Sequence, residues 1–103
     1  MPSTKEYADF ILEQLSGLDD ITTRKMMGEY IIYFKGKVIG GIYDNRFLVK
    51  PTKAARVKMP DASLELPYDG AIPMLLVDNV ENRDFLKELV LVMYEELPEP
   101  KMK

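Results

Sequence analysis

The sequence predicts an α+β fold, an antiparallel β-meander with a flanking helix at each end. Three observations lead there. Residues 24–51 hold three β-prone runs divided by two tight-turn signals, Lys35-Gly36 and Asp44-Asn45. Apolar residues recur at helical spacing in the first 18 positions and again from Phe85 to Leu97. With 103 residues, two separate cores would each be too small to hold together, so a single domain over 1–103 is expected.

The first helix is expected to begin near Ser3, where Ser3 and Glu6 match a capping box. Its apolar stripe is Tyr7, Phe10, Ile11, Leu15 and Leu18, and Ser16-Gly17 is a natural stop. Ile21 to Met26 alternates like an edge strand, and Met27-Gly28 breaks it. Tyr30 to Phe34 is the clearest strand.

Two-residue loops at both turns would pair Tyr33 with Val38, Ile32 with Ile39 and Tyr30 with Gly41. They would also pair Ile42 with Phe47, Gly41 with Leu48 and Ile39 with Lys50. That register puts Ile31, Tyr33, Val38, Ile42, Phe47, Val49 and Glu29 on the helix-covered face. Tyr30, Ile32, Ile39, Tyr43, Leu48, Arg46 and Lys50 fall on the other. Gly40-Gly41 weakens a central strand, and its expected justification is a bulge or room for a ring such as Tyr30.

Thr52 to Met59 reads as a brief basic helix ended by Pro60. Residues 61–73 are irregular, with a short strand at Leu64–Leu66, and Met74 to Val77 is a further strand. The closing helix is capped by Asn79 or Asn82, buries Phe85, Leu86, Leu89, Val90, Met93 and Leu97, and ends at Pro98 and Pro100. Residues 101–103 read as a frayed tail.

Composition narrows the chemistry. The chain has no Cys and no His, so disulfides, thiolate zinc sites and Ser-His-Asp or Cys-His catalysis are excluded. No Gly-rich phosphate fingerprint, EF-hand spacing or cofactor motif appears, and a non-enzymatic role is expected. No apolar run is long enough to span a bilayer and no secretory leader is visible, so the expected compartment is the cytoplasm. The net charge of −3 is segregated. Residues 24–58 carry nine basic and two acidic groups, while 1–23 carry one and five, and 59–103 carry four and ten. That basic block either neutralises acidic helices lying across it or forms a partner surface.

Arg24, Met26, Met27, Gly28, Tyr30 and Tyr33, followed by Gly36, Gly40 and the Phe-Leu-Val-Lys run ending at Lys50, carry a family resemblance. The chain resembles the N-terminal domain of the TfoX/Sxy competence regulators. The resemblance implies an antiparallel sheet with flanking helices, similar to the secretion-chaperone-like group. It also implies a part in switching on DNA-uptake genes together with another transcription factor, and it brings no catalytic residues. Better-known members carry a second, C-terminal domain that this sequence is expected to lack. Many relatives also have a phenylalanine and a second glycine where this chain reads Met-Met-Gly-Glu-Tyr.

The resulting expectation is a regulatory domain that binds a protein partner, such as a transcription factor, or a second copy of itself. Its surface would comprise Arg24, Tyr30, Tyr43, Arg46, Lys50, Lys53 and Arg56. The alternatives are weak nucleic-acid binding by the basic block, and a small-molecule pocket around Arg24, Gly28, Glu29 and Lys50. In the blander version of that pocket, Glu29 simply pairs with a Lys or Arg of the meander.

Overall fold

A computed structural model describes residues 3–26 and 28–97. Six antiparallel strands form one sheet: β1 (Ile21–Met26), β2 (Glu29–Phe34), β3 (Lys37–Tyr43), β4 (Arg46–Val49), β5 (Leu64–Glu65) and β6 (Met74–Leu76). Their order across the sheet is β1-β2-β3-β4-β6-β5. Three helices accompany it: α1 (Lys5–Gln14), α2 (Lys53–Lys58) and α3 (Arg83–Tyr94). This is the expected α+β class. The foreseen end of the closing helix at Pro98 and Pro100, the tail at 101–103, and Met27 all lie outside the described residues.

Both meander turns are tight because their central residues accept positive φ: Lys35 and Gly36 at 52° and 84°, Asp44 and Asn45 at 54° and 56°. Positive φ at both central positions matches the strands' right-handed twist. The β3–β4 register is the expected one, Ile42 facing Phe47 and Gly41 facing Leu48. The β2–β3 register is not. Tyr33 faces Val38 as foreseen, but a bulge then shifts the pairing, so that Ile32 faces Gly40 and Tyr30 faces Ile42.

That bulge corrects the assignment of faces. Tyr30, Ile32 and Phe34 of β2 join Ile42, Phe47 and Val49 on the helix-covered side. Ile39 belongs to the same core. Glu29, Ile31 and Tyr33 lie on the opposite side, with Val38, Tyr43, Arg46 and Leu48. The helices supply Ala8, Ile11 and Leu15 from α1, Ala55 from α2, and Leu86, Leu89, Val90 and Met93 from α3. Each fully buried Leu, Ile or Phe contributes roughly 1.5–3 kcal/mol, so this single layer of contacts holds the helices to the sheet.

Smaller differences have local causes. The α1 cap is Thr4, whose hydroxyl accepts the Tyr7 amide, because Ser3 is engaged elsewhere. Phe10 is exposed, off the edge of the buried stripe. The short strand stops at Glu65 rather than Leu66. Of the two candidate caps for α3, Asn82 is used, accepting from Phe85 N–H. The ring lying over the glycine pair is Tyr43 rather than Tyr30: a Cβ on Gly41 would sit 2.7 Å from Tyr43 Cε2.

A helix as short as α2 is not stable alone. It is held by the Thr52 cap, by the Glu96 carboxylate accepting the Lys53 and Ala54 amides at 2.9 and 2.8 Å, and by a Lys58–Glu88 ion pair. Among the described residues, no helix is long and apolar enough to cross a membrane.

Candidate functional site: the open face of the sheet

All three helices pack on one side, and among the described residues the other side of the sheet has no helical layer. Its β1 to β3 part presents Arg24, Met26, Ile31, Tyr33, Val38 and Tyr43 at partial or full exposure. At the β4–β6 end the segment 66–73 folds over it. Pro67 is buried, the Tyr68 ring lies 6.3 Å from Tyr43, and Arg46 Nη2 donates to Leu66 O. Between this segment and β1 lies a cleft of about 590 Å³ lined by Met26, Glu29, Ile31, Tyr43 and Tyr68.

Glu29 closes one end of the cleft and has a structural task. Its carboxylate accepts from the Ser3 amide (3.1 Å), the Ser3 hydroxyl (2.7 Å) and the Asp44 amide (3.2 Å). Asn45 completes the clamp: its Oδ1 accepts the Thr4 amide and its own amide donates to Ser3 Oγ. The N-terminal segment is thus tied to both the β2 start and the β3–β4 turn. The expected pairing of Glu29 with a lysine or arginine is replaced by these bonds. The local sequence could not reveal them, because their donors lie 15 and 26 residues away.

The structure divides the expected interaction surface. Arg24, Tyr43 and Arg46 share the open face, and Lys50 borders a second depression there with Tyr43, Pro67 and Tyr68. Tyr30 does not belong with them, since the bulge turns it toward the helices, where it packs on the core. Lys53 and Arg56 are exposed on α2, in the helical layer. Arg46 is also committed: its Nε donates to Tyr43 O, and its Nη1 lies 3.5 Å from Glu65. The expected pocket around Arg24, Gly28, Glu29 and Lys50 is not one site, because Glu29 and Lys50 border different hollows.

Sequence reasoning missed Met26, Ile31 and Tyr68 as surface residues. A signal for Ile31 was present. Glu29 shares a face with Ile31 and Tyr33, whereas Tyr30, Ile32 and Phe34 form the uncharged face of β2. Tyr68 had none, since its placement depends on how an irregular segment folds back.

The basic block is spent in part inside the fold. Lys37, 5% exposed, donates to Tyr94 O at the α3 C-terminus and stands 4.0 Å from the Tyr94 ring centroid. A cation is favoured at that negative end of the helix. Lys35 lies over the Phe34 and Tyr94 rings. Among the described residues, no group of three or more carboxylates is gathered for a metal ion.

The motif residues themselves are mostly architectural. Gly28 turns the β1–β2 hairpin at φ 85°, and a Cβ on Gly40 would strike the Leu48 carbonyl oxygen and Val49 Cα. The family profile described as the TfoX N-terminal domain matches residues 13–94. A relative from Spirochaeta aurantia, described as an uncharacterized 12.7 kDa protein in the trpE 5′ region, is 34% identical over 102 residues. The match covers 98% of this chain and 89% of that protein. No solved structure matches.

Proposed function

The chain belongs to the TfoX N-terminal domain family, and on that premise we propose that it is a non-enzymatic regulatory domain which docks a protein partner on the open face of its sheet. One observation carries the reading. Met26, Ile31 and Tyr43 line an apolar cleft on the face that, among the described residues, no helix covers. Contiguous apolar surface of that kind is characteristic of contact sites. The family's link to competence supplies the setting, control of DNA-uptake genes through a cytoplasmic partner such as a transcription factor.

Nucleic-acid binding by the basic block receives less support. Its cations are dispersed over both layers, and Arg46, Lys37 and Lys58 are engaged within the fold.

The test compares wild type with Met26→Asp in the source cell. Met26 is 46% exposed, so its substitution leaves the melting temperature nearly unchanged. Met26→Asp is expected to lose a co-purifying protein and the induction of DNA-uptake transcripts. The α2 variant Lys53→Glu, off the open face, retains both. Equal behaviour of wild type and Met26→Asp overturns the reading.

A further inference from the structure

At the rim of the open face the sheet ends in a free strand. Lys35 N–H donates to Asp20 O, and the β1–β2 register makes these two residues opposite one another. Hydrogen-bonded and non-bonded pairs alternate along an antiparallel ladder. The even-numbered residues of β1 therefore bond to β2, and the amides and carbonyls of Ile21, Thr23 and Lys25 point outward. Among the described residues, no backbone group pairs with that edge. β1 is six residues long, exposed from Thr22 to Met26, and free of proline and bulges. The opposite edge, β5, has only two residues.

We propose that β1 is a docking edge for an acidic segment of a partner protein, which adds to the sheet as an extended strand antiparallel to β1. The proposal rests on the partner-docking reading above and names the partner's chemistry. Arg24 and Lys25 are adjacent, project to opposite sides of the sheet, and no ion pair engages either among the described residues. Lysine and arginine on an edge discourage pairing with a like strand. A second copy of β1 would bring four cations together, so the edge selects against itself and for acid. Antiparallel addition continues the pattern of the whole sheet and is the more stable ladder.

The register then specifies the ligand. Opposite Thr23 and Lys25 the new strand makes paired hydrogen bonds. Opposite Arg24 lies a non-bonded pair, in which side chains approach most closely. From its N-terminal end the segment presents an apolar residue facing Met26 beside the cleft, then an acid facing Lys25, then an acid facing Arg24. Threonine or valine suits the positions beyond, against Thr23 and Thr22.

Isotope-labelled protein titrated with the capped peptide Ser-Leu-Glu-Glu-Thr-Val-Thr-Ser tests this by amide exchange. Saturation is expected to slow exchange of the Thr23 and Lys25 amides at least about tenfold and to leave the already bonded Arg24 amide unchanged. Replacing both glutamates of the peptide by lysine abolishes the effect. Arg24→Glu, at an exposed position, weakens the wild-type peptide about tenfold without lowering the melting temperature. Three results overturn the proposal: protection by oligothymidine instead, protection that appears with protein concentration alone, or peptide shifts confined to Ile31, Tyr43 and Tyr68. A partner retained through Met26 that leaves Thr23 and Lys25 unprotected overturns the edge and spares the docking reading. Retention indifferent to Met26→Asp overturns the reading beneath it.

Discussion

Tyr43 illustrates how one side chain is placed and what that costs. Its ring lies over Gly41, where the missing Cβ leaves space, and against Tyr68. Burial raises its pKa above the ordinary 10.0, and the nearby Tyr68, Glu29 and Tyr33 charges push the same way. The unfolded chain therefore ionises first. Stability is unaffected below about pH 10 and falls as the pH climbs from there toward the raised folded value. Tyr43→Phe is expected to flatten that alkaline fall in a series of urea midpoints between about pH 9 and pH 11. Part of the slope persists, because burial raises Tyr7 as well. An unchanged slope means that the phenol titrates as it does in the unfolded chain.

At the scale of elements, most of the fold was legible, and the reasons are local. Hairpin turns need residues that accept positive φ, and Lys35-Gly36 and Asp44-Asn45 announce themselves. The α3 stripe is a simple periodicity, and every member of it packs in or against the core. The register did not yield the division of β2 between the two faces, although the charge of Glu29 marked one of them, because one bulge reverses a strand's sides relative to its neighbour. The glycine pair marked the place without fixing the shift. Gly40 needs no left-handed backbone; its requirement is space, since Leu48 and Val49 pass too close for any side chain. Gly40→Ala is expected to cost about 3 kcal/mol in equilibrium unfolding. Gly17→Ala, whose Cβ would meet only Lys87 Cδ at 3.8 Å, stays within about 1 kcal/mol of wild type. Equal costs for the two variants count against the close approach of Leu48 and Val49 as the constraint.

Seen whole, the molecule divides its charge between structure and surface. The acidic helices do meet part of the basic block, as Lys58 with Glu88 and the α2 amides with Glu96 show. Arg24 and Lys25 stand at the sheet's rim, Arg24 on the side of the cleft and Lys25 on the helix-covered side, 6.0 Å from the Tyr30 ring centroid. The open-face site could not be read from sequence because it depends on three distant placements: the bulge, the return of segment 66–73, and the one-sided stacking of helices. The glycine pair marks only the neighbourhood of the first, and the other two are tertiary outcomes with no short-range mark.

The clamp of Ser3, Glu29, Asp44 and Asn45 has a consequence in time. Its bonds join residues up to 42 positions apart, so the cost of closing such long loops is expected to place them after the local hairpins. Interactions absent from the folding transition state govern escape from the native basin rather than entry into it. Ser3→Ala, which removes a hydroxyl that donates to Glu29 and accepts from Asn45, is expected to raise the unfolding rate about fivefold for a loss near 1 kcal/mol. The refolding limb of the chevron is unmoved; a slower refolding limb would place the clamp in the nucleus instead. An unmoved limb would mean that how long a folded copy persists is set where Ser3 meets Glu29, and how fast it forms by the meander.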